Sequence, residues 1–122
     1  MIEAKCILVV EDNEKNLRLL KDFLESQGYI VQAAGSGKEC LELARSCNPG
    51  LILMDIQMPG IDGITATNLL KKEKVTAQIP VVAITAMVMK GDKERILKAG
   101  CDGYLEKPIR FDLLLEIVQK WF

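Results

Sequence analysis

The chain has 122 residues, 49% of them hydrophobic and 27% charged, with a formal net charge of −1. That length suits one domain spanning residues 1–122, and the near-neutral balance supplies no long-range pull toward nucleic acid or an anionic membrane. Histidine is absent, which excludes His-based triads, His metal sites and a histidine phosphoacceptor, and no apolar run is longer than Cys6 to Val10, far below the ~20 residues of a membrane span and shorter than a signal-peptide core.

Ile7 to Val10 reads as a buried strand that ends in Glu11-Asp12. Asn13 can cap a helix whose Leu17, Leu20, Phe23 and Leu24 share one face, and Gly28 stands where a left-handed C-terminal cap belongs. Tyr29 to Ala34 predicts a second strand. Gly35-Ser36-Gly37 breaks it before a helix to about Ser46 with Cys40, Leu41 and Ala44 inward. With no Gly-Lys-Ser/Thr ending and no GxGxxG, that glycine pair reads as turn plus N-cap rather than as a phosphate loop.

Leu51 to Met54, flanked by Asn48-Pro49-Gly50 and Met58-Pro59-Gly60, is too short for a helix and suits a strand buried on both faces, with Asp55 as its last residue. A loop with Pro59, Gly60 and Gly63 leads to a helix ending near Lys72, with Ile64, Leu69 and Leu70 as its buried positions. After Pro80 a fourth strand, Val81 to Ile84, ends in Thr85-Ala86. Asp92 to Ala99 predicts a helix with Ile96 and Leu97 inward and Gly100 as its C-cap. A short strand from about Gly103 to Glu106 hands over to Lys107-Pro108, and a final helix from Arg110 to Trp121 buries some combination of Leu113, Leu114, Ile117 and Val118.

Strands alternating with helices in this way predict an α/β fold: a single five-stranded parallel sheet with helices on both faces. The flavodoxin-like order 2-1-3-4-5 is the commonest right-handed arrangement of five such strands. It makes the strands carrying Glu11-Asp12 and Asp55 neighbours, with Thr85 and Lys107 on the next two. The four cysteines, Cys6, Cys40, Cys47 and Cys101, include no CxxC pair and read as small apolar fillers in a reducing compartment.

Ligands gather outside the carboxyl ends of parallel strands, so Asp55 is placed for chemistry, although an isolated aspartate there more often merely caps the next helix. Three carboxylates in one cleft repel one another by about 4 kcal/mol per pair at 4 Å for an effective dielectric near 20, and so call for a counter-charge. The hard oxygen set suits Mg2+ or Mn2+, typically held by one or two carboxylates plus phosphate oxygens. Lys107 adds a second positive charge. A carboxylate ionised at pH 7 is a nucleophile without a general base, and cation and lysine together let it approach a phosphoryl group.

Glu11-Asp12, Asp55 with Met58-Pro59-Gly60 and Gly63, Thr85-Ala86, and Lys107-Pro108, each at a strand end in that order, closely resemble the receiver domain of two-component response regulators, most of all the stand-alone single-domain type. The resemblance covers the whole chain. It implies a phosphorylation-activated signalling switch, with Asp55 as phosphoacceptor, Asp12 and Asp55 as direct Mg2+ ligands, Glu11 acting through a water and the Gln57 backbone carbonyl completing the protein ligands. It further implies that Lys107, Thr85 and the Ala86 backbone bind the phosphoryl group. Thr85 and Tyr104 would form the switch pair, Gln57 and Met87 would tune phosphoryl lifetime, and the Lys107-Pro108 bond would be cis. Asn13, Asn16, Pro108 and Ile109 match the rim where the family docks its phosphodonor histidine.

The same resemblance implies a histidine kinase or histidine phosphotransfer protein as donor and a protein target on the face of the fourth helix, fifth strand and fifth helix. A cytoplasmic monomer or weak dimer is expected, with no nucleic-acid or membrane partner and no turnover beyond its own phosphorylation and dephosphorylation. Two other classes stand beside it. A flavodoxin-like cofactor carrier needs amides and hydroxyls around its phosphate, whereas Glu11-Asp12-Asn13 is anionic. A degenerate receiver used only for docking is opposed by the full acidic set.

Overall fold

A computed structural model describes residues 6–58, 60–86 and 91–122. Among them strands and helices alternate as β1 (Cys6–Val10), α1 (Glu14–Ser26), β2 (Ile30–Ala34), α2 (Gly37–Cys47), β3 (Leu51–Asp55), α3 (Gly63–Lys72), β4 (Val81–Thr85), α4 (Asp92–Lys98), β5 (Gly103–Glu106) and α5 (Phe111–Trp121). The strands form one parallel sheet in the order β2-β1-β3-β4-β5, the flavodoxin-like arrangement expected from the sequence.

Alternation along the strands divides the core in two. Leu8, Val10, Ile52, Met54, Val81 and Ala83 face α2, α3 and α4, where they meet Cys40, Ala44, Ala66, Leu70 and Ile96. Ile7, Val9, Leu51, Leu53, Val82 and Ile84 face α1 and α5, against Leu20, Leu24, Leu114 and Val118. Each fully buried aliphatic side chain contributes about 1.5–3 kcal/mol, so strands apolar on both faces are stable only between two helical layers.

Local chemistry sets the helix ends. The side chains of Asn13, Ser36 and Asp62 accept hydrogen bonds from the backbone N–H of Asn16, Glu39 and Thr65, each satisfying an amide that the first turn leaves without a partner. Gly28 follows α1 with φ +94°, and Asn48 closes α2 in the left-handed region at φ +46°. The Lys107-Pro108 bond is cis.

Several expectations need correction. β2 begins at Ile30, because the Tyr29 N–H is taken by the Leu24 carbonyl at the end of α1, 3.2 Å away, while its half-buried ring packs on Phe122 with centroids 5.4 Å apart. Leu69 and Leu97 are exposed and Ile64 is only half-buried. In α3 the buried stripe is Gly63, Ala66, Thr67 and Leu70, the spacing of one helical face, and Leu69 lies a step of ~100° away from its last member. Ile96 fixes the inward face of the seven-residue α4, which turns Leu97 outward for the same reason. In α5 the buried pair is Leu114 and Val118.

Gly63 has no room for a side chain: an added Cβ would collide with the Asp55 carbonyl oxygen and lie 2.7 Å from Ile56 Cα. Gly63→Ala is expected to cost about 1–3 kcal/mol through overpacking, read as a lower urea midpoint with an unchanged slope.

Candidate functional site

The sheet register brings the polar residues together. Val10 pairs with Met54, Asp55 with Ile84, and Thr85 with Glu106, so the carboxyl ends of β1, β3, β4 and β5 open onto one cleft. Ladder hydrogen bonds continue past the strands, from Glu11 N to Ala34 O at 3.0 Å, from Ile56 N to Ile84 O at 3.0 Å and from Lys107 N to Thr85 O at 2.8 Å. Backbone rigidity thus fixes where each side chain starts.

Glu11, Asp12 and Asp55 each offer a carboxylate oxygen within 4.8 Å of the others. Glu11 is 2% exposed and Asp55 1% exposed, whereas Asp12 faces solvent. The Lys107 ammonium stands between the buried pair, 3.3 Å from Asp55 Oδ2 and 3.6 Å from Glu11 Oε2. The Gln57 N–H donates to Asp55 Oδ1 at 3.0 Å, and Asn16 Nδ2 donates to Glu11 Oε1 at 3.2 Å.

One lysine does not balance two carboxylates taken out of water. Burial first, then a hydrogen bond and repulsion from Asp55, push the Glu11 carboxyl up to about 7, while Asn16 and Lys107 pull it down. A proton on Glu11 therefore supplies the missing positive charge at mildly acidic pH. A divalent cation would supply it more fully, and three carboxylates converging with an exposed member at the rim fit Mg2+, which keeps part of its water shell.

Of the remaining expected site residues, Thr85 is buried at the end of β4. Tyr104 pairs with Ala83, two residues before Thr85, so both lie on the sheet face toward α3 and α4; the Lys93 ammonium lies 5.5 Å from the Tyr104 ring centre. Ala86 joins Glu11, Asn16, Lys107, Pro108 and Ile109 in a cleft of about 570 Å³. Asn13 is the α1 cap and accepts from Asn16 N–H. Met87 and Pro59 fall outside the described residues.

Two features were not legible in the sequence. Asn16 reads there as a rim residue, and its grip on Glu11 emerges only when the first turn of α1 folds back over the end of β1. The cleft also continues into an apolar groove lined by Leu19, Leu20 and Phe111. Leu19 is 58% exposed; its only sequence signal is an apolar residue just outside the stripe of Leu17, Leu20 and Leu24.

Comparison with known proteins gives a consistent picture. Residues 7–119 match the response regulator receiver domain family. The polar-differentiation response regulator DivK of Brucella abortus is 44% identical over 118 residues, covering 97% of this chain and 96% of that protein. The receiver domain of a sensor histidine kinase from Pseudomonas aeruginosa, solved with a magnesium ion coordinated in its active-site cleft, is 34% identical with a TM-score of 0.90, covering 98% of both chains. A co-crystal structure from Saccharomyces cerevisiae of a histidine phosphotransfer signaling protein and the receiver domain of its downstream response regulator matches with a TM-score of 0.88 at 29% identity, covering 99% of this chain and 90% of that one.

The raised Glu11 pKa fixes a pH dependence in the presence of a chelator. The folded chain holds this proton where the unfolded chain has lost it, so the stabilisation is complete below the ordinary glutamate value of 4.5 and is lost as pH rises through about 7. Urea midpoints are expected to fall across that window and to lose this component in Glu11→Gln.

Proposed function

The chain belongs to the response regulator receiver family, whose members are phosphorylation switches, and on that premise we propose that Asp55 is its phosphoacceptor. The observation that carries the assignment is the setting of Asp55: buried at the end of β3, ion-paired to Lys107 and hydrogen-bonded by the Gln57 N–H. The donor is a phosphohistidine of a histidine kinase or histidine phosphotransfer protein, a reading supported by the phosphotransfer complex among the structural neighbours. An Asp55 carboxylate oxygen forms a bond to phosphorus as the donor's N–P bond breaks, and the departing imidazole takes up a proton.

Mg2+ (or Mn2+) would be held by Asp12, Asp55 and the Gln57 backbone carbonyl, with Glu11 acting through a water. Bound there, it neutralises charge on the transferring group. Asn16 keeps the Glu11 carboxylate turned toward the cleft. Lys107, which bridges Glu11 and Asp55 in this structure, transfers its ammonium to a phosphoryl oxygen, while the Thr85 hydroxyl and the Ala86 backbone N–H take others. Tyr104, on the same sheet face as Thr85, follows that hydroxyl inward and repacks the α4, β5 and α5 surface read by a protein target. Gln57 and Met87 control how an attacking water is held and thereby the lifetime of the phosphoryl group.

The donor docks at the cleft between α1 and the start of α5, on the rim of Asn13, Asn16, Pro108 and Ile109. This reading makes the protein a cytoplasmic switch, a monomer or weak dimer that works through protein contacts, without nucleic-acid or membrane partners. Its only chemistry is its own phosphorylation and slow hydrolysis.

Incubation with acetyl phosphate and Mg2+ is expected to add the mass of one phosphoryl group to the wild type and none to Asp55→Asn; wild type left unmodified refutes the proposal. Lys107→Ala is expected to slow labelling by about a hundredfold, the scale of removing one preorganised charge-stabilising donor. Thr85→Ala is expected to accept the phosphoryl group while losing the phosphorylation-dependent gain in target affinity. Equal target affinity with and without phosphorylation of the wild type would favour a docking module instead.

A further inference from the structure

At the end of the sheet away from Asp55, two half-exposed cysteines converge. Cys6 opens β1, and strand alternation puts its side chain on the face of Leu8 and Val10, which α2 covers through Cys40, Leu41 and Ala44. Because α2 links the end of β2 to the start of β3 in a parallel sheet, its last turn lies over the amino ends of the strands. Cys47 is that turn's last residue. It stands three positions beyond Ala44, on the stripe that faces the sheet. The chain immediately after it is tied to Cys6, whose carbonyl accepts a 2.9 Å hydrogen bond from Gly50 N–H.

Three independent features therefore agree: the face of the strand, the stripe of the helix and the backbone bond between their ends. Cys47 also stands close enough to act on the Cys6 thiol, which burial first and Cys47 second raise above its ordinary value; with less thiolate available, the attack on peroxide is slow. The other two thiols are differently placed. Cys40 is fully buried in the core, and Cys101 is buried against the Thr67 hydroxyl.

We propose that Cys6 and Cys47 are a paired dithiol that closes to an intramolecular disulfide when the protein meets a hydroperoxide. One sulfur attacks the peroxide, breaking its O–O bond and becoming a sulfenic acid as one water leaves. The second sulfur attacks that sulfenic sulfur, forming the S–S bond and releasing another water. Two thiols lose two protons and two electrons, and hydrogen peroxide is reduced to water. Closure fastens the last turn of α2 to β1 and restricts the unfolded chain across the intervening residues, so the oxidised protein melts at a higher temperature.

The test is peroxide treatment of reduced wild-type protein, followed by alkylation in denaturant, intact mass and peptide mapping. Accessible thiols are expected to fall from four to two, with one peptide pair joining Cys6 to Cys47, restored by dithiothreitol and accompanied by a raised melting midpoint. Cys6→Ser and Cys47→Ser, both at half-exposed positions, should each abolish the link. Four alkylated thiols, a link through Cys40 or Cys101, a link between two chains, or a sulfinic acid on an unpaired Cys6 or Cys47 would overturn the proposal. The linked peptide is read on the wild type, so the test stands even where a serine variant folds poorly.

Discussion

Two carboxylates withdrawn from water at adjoining strand ends, with a lysine between them, form the interaction on which the functional end of this molecule depends. Glu11 and Asp55 would repel strongly in a medium less polar than water, and burial adds a desolvation cost that a single ammonium does not offset. Lys107 contacts both, and the remaining imbalance appears as a Glu11 carboxyl pushed up to about 7. The cluster is therefore poised between states of different charge. Binding a cation, losing a proton and accepting an anionic group all act on the same balance.

That balance exists only because the sheet reverses direction of growth between β1 and β3. With β1 lying between β2 and β3, Glu11 and Asp55 leave neighbouring strands at the same level. Helix α3 then starts hard against the exit of β3: Gly63 leaves no space for a Cβ beside the Asp55 carbonyl, and the buried Met58 anchors the connecting loop in the core. Asp55 is held on a stiff support, with its Oδ1 taken by the Gln57 amide.

Around this support the two sides of the cleft differ in chemistry. On the α1 and α5 side the cleft widens into the apolar groove of Leu19, Leu20 and Phe111, backed by the stacking of Phe23 on Phe111 at 4.6 Å. On the α3 and α4 side Thr85 and Tyr104 share a sheet face. The cleft thus borders both an apolar recess and the sheet face that carries Thr85 and Tyr104. The Cys6 and Cys47 thiols lie at the opposite end of the strands, separated from the acidic cluster by the length of the sheet.

The strand–helix alternation, the sheet order, the caps at Asn13 and Ser36 and the acidic, threonine and lysine strand ends were all legible in the chain, because each follows from local periodicity or from residue type at a boundary. The outward Leu69, Leu97 and Leu113, and the apolar groove at Leu19, were not: neighbouring helix positions overlap in angle, and only the neighbour that packs first decides which of two leucines is covered. The Asn16 contact to Glu11, the upward shift of the Glu11 carboxyl and the approach of Cys47 to Cys6 likewise belong to the tertiary structure alone. Sequence determined which groups arrive at each end of the sheet. Folding decided their separations and their access to water, and charge, desolvation and sulfur chemistry depend on those two quantities rather than on order along the chain.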